Sequence, residues 1–246
     1  MKGRSAPHNF LWPVLSFFCI TLIVGCVKVD QTLTLQPDGS GTLDLVYGMS
    51  EQTIAQMKAM TQSMMAESAT NGASVAMNFD YTESEVRKDF EAYAPYGVTL
   101  DSMSTEIRDG WNYRTLKIQF KTLDGLSKTP WFSDRLFSLS KNEEGNYVLV
   151  RAAGDGSMGM APPPKTDPNV EEMMAGMMKG FRAVIRVKTP GPIIESNAEN
   201  VSENTAEWIF DLENDAQALE KAQSLTMNMV FNGQGLSIPE FKRMAG

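Results

Sequence analysis

Residues 27–47 read VKVDQTLTLQPDGSGTLDLVY, and this stretch decides the fold class. Val27, Val29, Leu33 and Leu35 alternate with Lys28, Asp30, Thr32 and Thr34, the period of two expected of a half-buried strand. Pro37-Asp38-Gly39-Ser40-Gly41 is a dense turn signal, and Leu43, Leu45 and Tyr47 alternate on the way back. A β-hairpin is therefore predicted to open the folded part of the chain.

Upstream of the hairpin the composition changes completely. Met1 to Asn9 carries Lys2 and Arg4 and no acid, and an apolar run extends from Phe10 to Val24. That run is interrupted by Pro13, Ser16 and Thr21 and is shorter than the roughly 20 apolar residues of a spanning helix. Residues 1–25 have the layout of an export signal. Leu22-Ile23-Val24-Gly25-Cys26 resembles the bacterial lipobox, with Gly25 and Cys26 as the cleavage site and the Cys26 thiol as the expected point of acylation. An ordinary signal peptide or an uncleaved anchor is the competing reading. Cys19 lies inside the apolar run, so Cys26 is the single thiol the mature chain would keep, and a lone thiol in an oxidising compartment has few other uses.

Loss of Lys2 and Arg4 with the leader removes two positive charges and moves the net charge from -8 to -10. Such a surface repels nucleic acid and anionic headgroups, so no nucleic-acid partner is expected. Membrane attachment is assigned to N-terminal acyl chains, two or more of which hold firmly. Val27 occupies the place where some bacteria set an inner-membrane retention Asp, which favours the outer membrane where a cell has two.

Downstream, Ser50 is placed to cap a helix reaching about Ala66, with Ile54, Met57, Met60, Met64 and Met65 on one face. Thr82-Glu83-Ser84-Glu85 is a capping box for a second helix, with Val86, Phe90 and Tyr93 as its stripe and Pro95 at its end. Strands at Val98–Ile107 and Trp111–Thr122 flank Asp109-Gly110, a two-residue hairpin turn. Leu123–Asp134, with Trp131 and Phe132, is expected to be a loop with one or two helical turns. A further hairpin pairs Leu136–Ser140 with Tyr147–Arg151 around Asn142–Asn146.

Residues 152–168, with three glycines and Pro162-Pro163-Pro164, are expected to form a mobile loop. Asn169 and Glu172 can cap a short helix bearing Met173, Met174, Met177, Met178 and Phe181, weakened by Gly176 and Gly180. A strand at Ala183–Thr189 then meets Thr189-Pro190-Gly191-Pro192, which must be an edge or corner because prolines cannot donate to a ladder. An edge at Ile193–Ser196, a strand with Trp208, Phe210 and Leu212, a helix from Asp215 to about Gln223 and a strand with Leu225, Met227, Met229 and Phe231 complete the domain. Residues 232–246 read as a tail. The expected architecture is α+β over residues 26–231, a curved antiparallel sheet of about nine strands with three or four helices packed on one face.

The single histidine, His8, belongs to the leader. Without imidazole or free thiol, His- and Cys-based nucleophilic sites, His-rich metal sites and thiol redox chemistry drop out, and no phosphate loop is present. No catalytic residue, metal or cofactor is assigned, although a carboxylate pair remains formally open among thirty acids. The seventeen methionines admit three readings. Met57/Met60/Met64 and Met173/Met177 have the same-face spacing that a thioether Cu(I) site needs. The same spacing serves a plain core, where Met is a common gap-filler. Between the two stands an adaptable apolar pocket, lined by Met57, Met60, Met64, Trp131, Met173, Met177 and Trp208, for a lipid or other apolar ligand. An envelope scaffold that acts through protein partners, with no small ligand, is the alternative.

A Cys leading directly into Val-Lys-Val, the Pro-Asp-Gly hairpin, Pro190-Gly-Pro-Ile-Ile-Glu-Ser-Asn197 and a later strand with Trp208 together resemble the LppM-like lipoprotein domain family over most of residues 26–231. The resemblance implies a non-enzymatic, β-rich fold with helices and a role in binding membrane lipids or glycolipids. The Met-rich helices and the 152–168 loop depart from it, so the ligand does not carry over. The shared positions are structural, and no binding residue carries over either.

Overall fold

A computed structural model describes residues 27–55, 58, 82–129, 137–152 and 180–242. The leading hairpin forms as its alternation predicts: β1 (Val27–Leu35) pairs antiparallel with β2 (Gly41–Ser50), and Leu33 faces Leu43. Its turn closes through Gly39 N donating to Gln36 O, with the Asp38 carboxylate accepting from the backbone and hydroxyl of Ser40. Gly39 adopts a φ of 86°, which suits a residue without a Cβ.

Ser50 ends β2 and caps the adjoining helical turn, its Oγ accepting from Thr53 N at 3.1 Å; residues 51–55 are helical. The capping box is formed on α1 (Glu83–Glu91): Glu85 N donates to Thr82 Oγ1, and Thr82 N to Glu85 Oε2 at 2.7 Å. A 3-10 turn (Ala94–Tyr96) carrying Pro95 leads into β3 (Val98–Arg108), which pairs with β4 (Trp111–Phe120). Asp109 and Gly110 both have positive φ, 53° and 73°, as a tight two-residue turn requires. Arg87 of α1 donates to the carbonyls of Leu100 and Asp101, where the register of β3 shifts. After α2 (Leu123–Ser127), β5 (Phe137–Lys141) and β6 (Tyr147–Arg151) form the second long-loop hairpin, with Asn142 Oδ1 accepting from Glu144 N and Asn146 N.

The remaining strands are β7 (Arg182–Lys188), β8 (Ile193–Ser196), β9 (Asn200–Val201), β10 (Thr205–Asp211), β11 (Met227–Phe231) and β12 (Phe241–Lys242), with α3 (Ala218–Ser224) before β11. They correct the expected architecture in three respects. The class is α+β, but twelve described strands divide between two sheets, seven-stranded in the order β3-β4-β2-β1-β7-β10-β9 and five-stranded in the order β12-β5-β6-β11-β8. Second, β1 pairs with β7 in parallel, so the larger sheet is mixed rather than antiparallel. Third, the described helices do not form one covering layer. α1 lies against edge strand β3, and α3 lies against β10 toward the opposite edge. The apolar face of the large sheet packs against the small sheet, and Phe90 of α1, Leu123 and Leu126 of α2 and Ala218 and Ala222 of α3 join the same core. Leu33, Leu43, Ile118, Ile185 and Trp208 share one core with Leu139, Leu149, Met229 and Phe231.

The corner Thr189-Pro190-Gly191-Pro192 carries the chain from one sheet to the other, from β7 to the edge strand β8. Thr189 bridges it, its hydroxyl donating to Gly191 O at 2.8 Å. A Cβ on Gly191 would lie 2.3 Å from Asn232 O, so only glycine lets the two backbones approach this closely. The residues after Phe231, expected as a tail, pack down to Lys242. Ile238 is buried, its N–H and C=O both bond the Tyr147 hydroxyl, and β12 adds to β5. The 152–168 loop beyond Ala152 and the helix expected at 169–181, up to residue 179, lie outside the described residues.

Candidate functional site

The two sheets leave a cavity of about 20 Å³ between them. Alternation along the strands decides its walls. From the seven-stranded sheet come Gln31 and Leu33 of β1, Ile185 and Val187 of β7, and Trp208 of β10. From the five-stranded sheet come Phe137 of β5, Leu149 and Arg151 of β6, and Met227 and Met229 of β11. Eight of these ten side chains are apolar; Gln31 and Arg151 are the polar members.

Of the residues assigned to a pocket from sequence, Trp208 is at this wall. It is 2% exposed, and its indole nitrogen is satisfied by Asn197 Oδ1 at 3.1 Å. Met57, Met60, Met64, Trp131, Met173 and Met177 lie outside the described residues, as do Gly25 and Cys26. The methionines found at the cavity are Met227 and Met229, which the strand pattern turns to one face.

Arg151 is the residue that sequence reading missed. It is 7% exposed, and its Nη1 reaches the thioether of Met227 at 3.4 Å. The signal was available. In Tyr147–Arg151 the alternation that buries Tyr147 and Leu149 places Arg151 on the same inward face. A charge at a strand end is usually assigned to solvent, which hides it.

The outward face of the large sheet carries a separate ionic cluster. Arg186 of β7 meets both oxygens of Asp30 of β1, at 2.6 and 2.8 Å, and also Glu207 of β10. Bonding to Asp30 holds the Arg186 guanidinium above its ordinary range, while the Asn200 amide, with Arg186 beside it, holds the Glu207 carboxyl below its own. Every member has a partner, so the cluster ties β1, β7 and β10 together across the parallel junction. Among the described residues, no three His, Cys, Asp or Glu side chains converge to hold a metal. No described helix is long and apolar enough to cross a membrane. The cavity is lined mainly by apolar side chains, with one guanidinium and one amide.

No protein-family model matches the chain, and no curated protein matches it. Among solved structures it is similar to the folded domain of LppM from Mycobacterium tuberculosis, determined by NMR. The identity is 14%, the TM-score is 0.42, and the match covers 85% of this chain and 90% of that one. A likeness of this degree is a distant one of shape, and the functional argument rests on the chain's own residues.

Proposed function

We propose that the chain is a bacterial envelope lipoprotein, cut before Cys26 and acylated there, whose two-sheet domain binds an apolar ligand without catalysis. The observation that carries the reading is the boundary. Val27, one residue beyond Cys26, is already a buried residue of β1. An anchor at Cys26 would therefore lie one residue from the sheet and hold the domain close to the bilayer. By the residue at 27, the outer membrane is the favoured destination in a cell with two.

The apolar cavity between the sheets supports the binding part of the reading. Its 20 Å³ admits about one water-sized group. A larger ligand requires Met227 and Met229 to change rotamer, and unbranched thioether chains do so at low cost. Loss of His8 with the leader would leave no imidazole in the mature chain, which supports a domain without His-based catalysis.

A second reading, a scaffold that acts through protein contacts, is favoured by the small cavity and by Ile194 and Val201. These are 57% and 50% exposed on β8 and β9, edge strands of the two sheets. Mass spectrometry of the protein purified from membranes tests the anchor. The expected N-terminal peptide begins at Cys26 and carries diacylglycerol, and Cys26→Ser is expected to keep residues 1–25 unprocessed. An unmodified Cys26 in the wild-type protein would overturn the lipoprotein reading. Extraction of the same preparation tests the ligand: a stoichiometric apolar molecule beyond the anchor supports binding, and an empty domain favours the scaffold.

A further inference from the structure

The rim of the large sheet where β1 begins carries a ladder of aromatic and cationic side chains. Register places Val27, Met49, Asn112 and Ile107 in one row across β1, β2, β4 and β3. Ser50, Trp111 and Arg108 form the last row, closed by the Asp109-Gly110 turn. Neighbouring strands lie about 4.8 Å apart, so β4 runs roughly 10 Å from β1. Alternation puts Trp111 and Tyr113 on the face opposite the buried Leu116, Ile118 and Phe120. There Lys28 Nζ sits 4.1 Å from the centre of the Trp111 ring, and the Arg108 guanidinium lies 5.0 Å from that of Tyr113. The two rings stack with their centres 6.1 Å apart. Gly48 makes room for them, since a Cβ there would lie 2.6 Å from the Tyr113 ring. Strand β3 is exposed on both faces from Ser104 to Arg108, and Ile107 is 64% exposed.

We infer that this rim is a membrane-contact surface, which seats Ile107, Trp111 and Tyr113 in the headgroup layer of the bilayer that holds the anchor. The inference rests on the Cys26 anchor and adds what an anchor alone leaves free, the orientation of the domain. An acylated residue directly before Val27 brings this rim to the bilayer. The Pro37–Gly41 rim lies at the other end of β1, nine residues or about 30 Å away. Trp and Tyr partition to the membrane interface, where the ring meets acyl chain and the polar edge meets water. Lys28 and Arg108 lay their stems along the sheet and can carry their charges to phosphate. Acids share the rim: Glu106 is 3.8 Å from Arg108, Asp109 is in the turn, and Glu51 N bonds Gly110 O. The rim thus has no excess of positive charge, and the surface it fits is a zwitterionic one, met through its aromatic residues.

The test uses the protein purified from membranes and reconstituted in phosphatidylcholine vesicles, with acylation of Cys26 checked on the same sample by mass spectrometry. Emission is compared between ordinary phosphatidylcholine and phosphatidylcholine brominated in the upper half of its acyl chains. The Trp111 component is the difference from Trp111→Phe, which keeps a ring beneath Lys28. Bromine is expected to quench that component by about half or more, as for an indole at the interface. Gln36→Trp, made in the Trp111→Phe background, sets an indole on the opposite rim, and less than about a tenth of its added emission should be lost. Mixing in phosphatidylglycerol should leave the Trp111 quenching within about 1.5-fold. An unquenched Trp111 in acylated protein overturns the inference and leaves the lipoprotein reading standing. Equal quenching at both rims overturns it too, since the domain then has no preferred end, as does quenching that appears only with phosphatidylglycerol. A Cys26 without acyl chains overturns both, because nothing then turns this rim to the bilayer.

Discussion

The indole nitrogen of Trp208 donates to Asn197 Oδ1 at 3.1 Å, and the same oxygen accepts from Asn228 N at 3.0 Å. Trp208 belongs to the seven-stranded sheet, whereas Asn228 belongs to the five-stranded one. Asn197 also donates from its amide to Thr226 O at 2.8 Å. One side chain, just past β8, thus fastens the two sheets along one side of the cavity.

Replacing Asn197 with Ala is therefore expected to cost about 1–2 kcal/mol, since three hydrogen bonds are lost but water reaches the site. Urea unfolding measures the loss. Trp208 fluorescence is expected to shift to the red in the folded variant, because the indole loses its anchored environment. An unchanged midpoint and spectrum would mean that packing alone holds the sheets.

Tyr147 fastens the other end. Its buried hydroxyl accepts from Ile238 N at 2.8 Å and donates to Ile238 O at 3.0 Å. Tyr147→Phe leaves both backbone groups without that partner, a cost of about 1–3 kcal/mol. Amide exchange should rise at 237–242 before it rises in β6. A uniform rise across the domain would show that this segment does not open separately.

Gly41 begins β2 where the leading hairpin is tightest. A Cβ there would lie 2.0 Å from Thr34 O and 2.6 Å from the Phe120 ring. Backbone cannot retreat as a side chain can, so Gly41→Ala is expected to cost about 3 kcal/mol or more, at the upper end of overpacking effects. Gly110→Ala is the control. It has open space around it, and its cost, from a φ of 73°, should be about 1–2 kcal/mol. Comparable thermal midpoints for the two variants would contradict this account.

Acid should loosen the junction of β1, β7 and β10. Glu207 has its folded pKa depressed below the ordinary 4.5, first by the Asn200 amide and then by Arg186. A depressed carboxylate contributes stability that is complete above the unfolded value and is lost as pH falls through the folded one. Glu207→Gln should thus destabilise by about 1 kcal/mol at pH 7, and the difference from wild type should shrink below pH 4. Urea midpoints measured from pH 7 to pH 3 check this, and a gap that widens in acid would reverse the assignment.

The sequence by itself determined what short-range chemistry decides. Pro37-Asp38-Gly39, Asp109-Gly110 and Asn142–Asn146 select their turns, and the strands beside them alternate, so each hairpin was readable. The capping box at Thr82 and the cap at Ser50 were readable for the same reason, as each hydrogen bond spans three residues. Only the tertiary structure decided which hairpins share a sheet. Joining β1 to β7 in parallel depends on contacts more than 150 residues apart, and alternation marks which face is buried without saying what buries it. A second sheet and a helical layer make the same demand on the pattern in β1 and β2. Nor could alternation assign a cost to Arg151. Its inward position follows from periodicity, but its burial is a property of packing between strands distant in the chain.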